Sequence, residues 1–236
     1  MITNPVPSYI KVARVILAIT GTVQEVFQKP PGKTHNVVNQ QAIAILNNDG
    51  HAREAMFLKH YLDHLDRGVE WADSAWKNSS HFFNPQNSKG FWKWPNAAVE
   101  ARLHYNSAVK HIRSKNYAKA MFYLGAAVHL VQDLCVPHHS KGILFDGHQE
   151  FEDWAEEHCE EYLINENGLY LPSCDPAAYV INNADISQKY YDLVSLSNQN
   201  CDYKEAMPVL FELCQRTTAG FLLAFCKVHL SNLNII

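Results

Sequence analysis

From residue 34 onward, apolar positions recur at three- and four-residue spacing over most of the chain, the signature of helices with one buried face. Thr34 is placed to cap a first helix, whose apolar face is Val37, Val38, Ala42, Ile43, Ile45 and Leu46 and which Asn47-Asn48-Asp49-Gly50 stops. Residues 52–73 carry Met56, Phe57, Tyr61, Leu62, Leu65 and Val69 at the same spacing and predict one long helix. Two more are expected over 96–114, with Val99, Leu103, Val109 and Ile112 as its buried stripe, and over 117–134, joined by Lys115-Asn116. Pro137 should end the second of these, and Gly147 permits a turn into a helix that starts at His148. Further on, Pro172 and Pro176 deny helix to a polar loop. A short helical stretch is expected near 184–197, then a long apolar helix over 207–233 with Pro208 in its first turn. Strand alternation is absent, so the expected fold is all-α, a single-domain multi-helix bundle.

Composition narrows the picture. A chain of 236 residues with 47% hydrophobic and 19% charged positions builds one domain with a full core. Lys29-Pro30-Pro31-Gly32 reads as a stiff linker, dividing an arm or processed segment at 1–34 from a folded unit at 35–236. Positive charge at Lys11 and Arg14 before the run VILAIT has the shape of a signal sequence or of an amphipathic first helix. No run approaches the roughly 20 consecutive apolar residues of a membrane span, so a soluble or peripheral protein is expected. A net charge of −4 with no long basic run argues against affinity built on nucleic-acid phosphates. Six cysteines without a CxxC are compatible with disulfides after export or with buried thiols. The outlier is histidine: 13 are present, against about five or six in ordinary usage, and zinc sites consume histidine.

The candidate chemistry is concentrated at 123–158. Its core reads His129-x3-Asp133, Pro137-His138-His139, then His148-x3-Glu152. Residues four apart lie one turn apart on the same helix face, so each pair can aim an imidazole and a carboxylate at one point. One such pair is commonly a solvated surface contact. Two in tandem, the first embedded in Phe122, Leu124, Ala127, Val128 and Val131, need a partner that neutralises them. With His139 in the loop between them as a further ligand, the pattern is that of a multi-metal site. No metal spacing involves His51, His60, His64, His104 or His111, which read as packing or surface residues.

The run FYLGAAVHLVQDLCVPHH resembles the FYLG, H-x3-D, P-x-H segment of the zinc-dependent bacterial phospholipases C, a family that includes the Bacillus-type enzymes and the catalytic domain of clostridial alpha-toxin. GHQEFEDWAEEHCEEY is similar to the stretch carrying that family's last two zinc ligands, THNVVNQQAIAIL to its first ligand helix, and QRTTAG to its closing helix. GVEWAD followed by SSHFFNP resembles the segment from a metal-binding Asp to a metal-binding His. The resemblance implies metal ligands at His35, Asp73, His81, His129, Asp133, His139, His148 and Glu152, with Asp133 bridging two of two to three zinc ions and Asp73 doubling as a catalytic base. It assigns His139, ten residues after His129, rather than His138. It implies a secreted, monomeric hydrolase acting on phospholipid at a membrane surface, releasing diacylglycerol and a phosphorylated head group. The more distant S1/P1-type single-strand nucleases share the fold and most ligands but usually end the last pair in Asp, so Glu152 favours the phospholipase branch. An inactive lipid-binding relative is the reading from another class.

Two departures from the family pattern stand out. An N-terminal Trp that completes the third metal site has no counterpart, Thr22 standing near its place. Either cleavage near Gly21-Thr22 makes a new N-terminus or a different ligand is supplied. Two aromatics that help enclose choline are replaced by Ser74 and Asn78; Phe82, Phe83 and Tyr105 are the rings that could move into the gap. The aromatic run from Phe91 to Trp94 reads as a packing lid or, if exposed, as a lipid-interface element.

Overall fold

The computed structural model describes residues 33–74, 80–91 and 94–230. Residues 1–32 of the N-terminal arm with its linker and signal-like run, Thr22 among them, and Asn78, Trp92, Lys93 and the end of the expected last helix lie outside the described residues. Among the described residues, ten α-helices follow in order: α1 (Lys33–Asn48), α2 (Ala52–His60), α3 (Leu62–Asp73), α4 (Ala97–Arg113), α5 (Tyr117–Asp133), α6 (Pro137–Lys141), α7 (His148–His158), α8 (Pro176–Ser187), α9 (Tyr191–Val194) and α10 (Tyr203–His229). Among the described residues the strand-like pairing is one isolated bridge, Asn84 to Lys89.

The helix starts follow from short polar side chains that satisfy first-turn amides. Asn96 accepts from the Val99 amide, Asn116 from Lys119, Asp175 from Ala177 and Asp202 from Lys204 and Glu205. α5 is the centre. From Leu124 to Asp133 every residue is buried, so this helix has no solvent face and must be surrounded. α3 and α4 cover it on two sides, α10 and α8 complete the shell, and α10 also packs on α1.

Contact between α3 and α5 is backbone to backbone. A Cβ on Gly68 would lie 1.9 Å from the Phe122 carbonyl oxygen, and one on Gly125 would lie 2.0 Å from that of Leu65. Only glycine permits this approach. Gly125, His129 and Asp133 follow one another at four-residue spacing on α5, so the stripe that touches α3 runs into the two ligand candidates. Asp73, the last residue of α3, is thereby brought beside them.

Several expectations need correction. The helix expected over 52–73 is two, broken at Tyr61, whose backbone leaves the helical region (φ −109°, ψ 15°) while its ring packs on Phe57 and Tyr117. Met56 is 71% exposed, and the buried face is made by Ala55, Leu58, Leu65 and Val69. On α4 the stripe is rotated: Val99 and Leu103 are exposed, whereas Ala97, Ala98, Ala101, Tyr105 and Ala108 are buried, because close packing on α5 selects small side chains. His139 is not in a loop but in α6, which Pro137 opens. Pro176 likewise starts α8 at its first position instead of forbidding it. α10 begins four residues earlier than expected, so Pro208 lies inside it; the Lys204 carbonyl it leaves without an amide is on an exposed turn. α10 is also long and apolar enough to cross a membrane, and 78% of its most apolar window is buried in this fold, as in a core helix. All six cysteines are free thiols, Cys135, Cys159, Cys214 and Cys226 buried.

The glycine contact generates a prediction. Gly125→Ala should force α3 and α5 apart and destabilise the protein by about 1–3 kcal/mol, about 2–4 °C in Tm for each kcal/mol at this size. A thermal melt coinciding with wild type would show that the approach is not needed.

Candidate metal centre

His129 and Asp133 are one turn apart near the C-terminal end of α5, and both are at least 95% buried. His81 reaches them from the segment before α4. That segment is pinned on both sides of one peptide unit: the Phe83 amide donates to the His139 carbonyl at 3.1 Å, and the Phe82 carbonyl accepts from the Ala97 amide at 3.0 Å. The atoms that converge are His81 Nδ1, His129 Nε2, Asp133 Oδ2 and Asp73 Oδ1. Their separations are 2.7 Å (His81 to Asp133), 3.2 Å (His129 to Asp133), 3.2 Å (His81 to His129) and 3.9 Å (His129 to Asp73). A tetrahedron with zinc–ligand bonds of about 2.0–2.1 Å has edges of about 3.3 Å.

A second group is built on α6 and α7. His148 Nε2, His139 Nε2 and Glu152 Oε1 lie 3.1, 3.4 and 2.8 Å apart, His148 to His139, His139 to Glu152 and His148 to Glu152. A third joins His35 in the first turn of α1 to the other oxygen of Asp133, with Nε2 3.6 Å from Oδ1 and the His35 ring 4.5 Å from that of His129. Asp133 therefore faces one group with Oδ2 and another with Oδ1. His138 takes no part: its Nε2–H donates to the Asp146 carbonyl at 3.1 Å and its ring stacks on His148. Burial pushes its pKa down to about 4, which keeps it neutral.

The electrostatics show three imidazoles around one carboxylate. Burial drives His81 below its ordinary value, against the pull of Asp133. Burial also opposes charge on His129 and His139, but Asp133, helped by Glu152, raises both above theirs. Asp133 itself resists burial and is held well below the carboxylate range by His129, His139 and His81. Glu152, whose partial desolvation opposes its charge, is held low by His139 and His148. These groups fit a cation. Asp133 Oδ2 has no hydrogen bond of acceptable angle although His81 Nδ1 is close by. Nitrogen lone pairs aimed at each other and at a carboxylate, in a site of N and O donors, match the coordination preferences of zinc.

Seven of the eight side chains line one cavity of about 630 Å³, and His129 is buried just behind it. Its other wall is apolar, with Val38, Val136, Phe151, Met207, Leu210 and Phe211. Two supports escaped the sequence reading. Gln132 accepts from His35 Nδ1 at 2.8 Å, and Asp146 anchors the turn into α7 by accepting from Tyr191, Ser195 and Ser197. Asp146 and Gly147 both have positive φ, 74° and 93°, and aim His148 inward. A Pro-His-His followed by Asp-Gly was the available signal for the anchor, whereas Gln132 is a polar residue on a buried helix and had none.

The division of labour between the adjacent histidines is testable. His139→Ala should lose an ion by metal analysis and His138→Ala should retain it; the opposite result would reverse the assignment.

Comparison with known proteins bears on these groups. The profile of the family described as zinc dependent phospholipase C matches residues 34–223. Phospholipase C of Clostridium perfringens (strain 13 / Type A) is 28% identical over 232 residues, covering 81% of this chain and 58% of the relative. Phospholipase C of Paraclostridium bifermentans is 24% identical over 230 residues with the same coverage. The chain thus spans a little over half the length of these curated relatives. In fold, it is similar to the alpha toxin of Clostridium absonum (TM-score 0.76, 23% identity, 89% of this chain and 67% of that one). It is also similar to the alpha-toxin of a Clostridium perfringens avian strain (TM-score 0.72, 24% identity, 85% and 64%). Every ligand candidate from His35 to Glu152 falls inside the matched residues, and the chain belongs to the zinc-dependent phospholipase C family.

Proposed function

We propose that this protein is a zinc-dependent phosphodiester hydrolase whose substrate is a glycerophospholipid, cleaved to diacylglycerol and a phosphorylated head group. The observation that carries this reading is the convergence of His81, His129, Asp133 and Asp73, and of His139, His148 and Glu152, at tetrahedral-edge spacing on one half-apolar cavity. Zinc bound there would polarise phosphoryl oxygens and lower the pKa of a water toward neutrality. Three ions would be held by Asp73, His81, His129 and Asp133, by His139, His148 and Glu152, and by His35 with Asp133.

The chain's own groups supply the rest. Asp73 faces the cavity with its side chain 30% exposed, which supports its role as the carboxylate that would accept the proton of an attacking water. Attack of the water oxygen on phosphorus would break the bond to the glycerol oxygen, which would leave as the diacylglycerol hydroxyl with the proton taken from that water. The wall of Val38, Val136, Phe151, Met207, Leu210 and Phe211 suits the acyl-glycerol side of that bond. Asp153 and Glu156 on the rim oppose a polyanion, which weighs against the single-strand nuclease.

The head group is less tightly specified. Ser74 offers no ring, Phe83 is 3% exposed in the core, and the Tyr105 hydroxyl is tied to His229 at 2.8 Å. Phe82 lines the cavity but is packed against His139 and Phe91. Cation–π stabilisation of choline, roughly 0.5–2 kcal/mol per face, is therefore reduced.

Two measurements follow. Purified protein should hydrolyse phosphatidylcholine, lose this activity to a chelator and regain it with zinc; faster turnover of single-stranded DNA under the same conditions would sink the reading. On matched micelles, choline should be preferred over ethanolamine by less than about thirtyfold, near 2 kcal/mol, and a larger ratio would reveal an aromatic cage.

A further inference from the structure

A chain of side-chain hydrogen bonds leads away from the metal centre and ends on a carboxylate. His35 Nδ1 is 2.8 Å from Gln132 Oε1. Gln132 Nε2 donates to Asn39 Oδ1 at 2.9 Å, and Asn39 Nδ2 donates to Asp66 Oδ1 at 2.8 Å. Asn39 and Gln132 are 0% and 2% exposed, so neither amide can turn to water instead. The elements are α1, α3 and α5, and the relay crosses the seam where they meet.

The direction of every bond is set by its far end. An ionised carboxylate only accepts. It therefore takes the Asn39 amide nitrogen, which turns the Asn39 oxygen toward Gln132. That oxygen takes the Gln132 nitrogen, which turns the Gln132 oxygen toward His35. An oxygen facing Nδ1 requires the proton on Nδ1. With Nδ1 carrying that proton, Nε2, on the side of Asp133, is the nitrogen left to bind a metal ion between them, the form a metal ligand must have. Reversing both amides would set the Asn39 and Asp66 oxygens against each other with no proton between them. It would also put an N–H on the side of His35 that faces the cluster.

We infer that Asp66 is a positioning residue for the metal centre, fixing the tautomer of His35 through Asn39 and Gln132. The inference rests on the reading of His35 as a zinc ligand. Its surroundings make Asp66 a poor choice for merely tying down an amide. Burial pushes its carboxyl up to about 6, only partly offset by Asn39, and Glu70 and Asp63 on its own helix add repulsion. The group facing it from α1 is Asn39. A carboxylate whose pKa is raised on folding lowers stability as pH rises through that window, since the folded state then binds the proton more tightly than the unfolded one. Asn at this position would carry no such burden, but it offers either an oxygen or a nitrogen to Asn39 and so fixes no direction.

The test separates direction from scaffolding. In the metal-free protein at pH 7.5, long-range ¹⁵N–¹H correlation should show His35 protonated at Nδ1. Asp66→Asn should give a mixed or reversed tautomer with a melting temperature equal to or above wild type, which a purely structural carboxylate would not do. Asn39→Leu, which cuts Asp66 off while leaving Gln132 beside His35, should shift the tautomer in the same way and provides the answer if Asp66→Asn does not fold. Zinc titration of Asp66→Asn against a competing chelator should show about 10–100-fold weaker binding of the ion that His35→Ala loses, the other ions unchanged. A wild-type His35 protonated at Nε2 and not at Nδ1 overturns the inference, and so does an Asp66→Asn protein with the wild-type tautomer and zinc affinity. If His35→Ala loses no zinc, the ligand reading of His35 fails, and the tautomer shift alone decides the relay.

Discussion

A single carboxylate, Asp133, constrains this molecule more than any other group. It is buried on the central helix with imidazoles on both of its oxygens. An ionised carboxylate so deep in a fold is tolerable only if charge or hydrogen bonds surround it. The chain meets that demand from separate directions: His129 from the same helix, His81 from the segment pinned to α6, and His35 from α1. The glycine contact of α3 with α5 then sets how near Asp73 can come. The bundle can be read as a scaffold that holds five polar side chains around one point and lets apolar packing absorb the consequences.

The regular part of this arrangement was legible in the sequence, and the reason is periodicity. His129 with Asp133 and His148 with Glu152 announce themselves because helix geometry puts residues four apart on one face. Asp73 and His81 have no such spacing to each other or to the rest, and only the resemblance to a known family assigned them. The misreadings share a cause. Val99 and Leu103 looked like a core face because large apolar residues were counted, but the tight seam with α5 admits alanine and turns the larger residues outward. Tyr61 was read through as helix because its ring fits the stripe, while its backbone ends one helix and begins another.

The orienting groups were the least visible. Gln132, Asn39 and Asp66 are polar residues at ordinary helical positions, and nothing in a linear pattern says that their amides line up. Asp146 looked like a turn residue and is one, yet its side chain also ties the turn before α7 to the segment after α9. Such roles exist only after the helices have met.

The eight ligand candidates come from segments as far apart as His35 and Glu152, so all three groups stand together only in the folded chain. An ion that binds only the assembled form draws the folding equilibrium toward it by mass action, by about 2.7 kcal/mol for each site when free metal stands at one hundred times its dissociation constant. Metal supply would then act on how much folded protein persists as well as on how fast it works. A molecule without zinc would lack the metal's chemistry at once and would also lack that increment of stability, so the metal-free fraction would be the one exposed to unfolding and proteolysis.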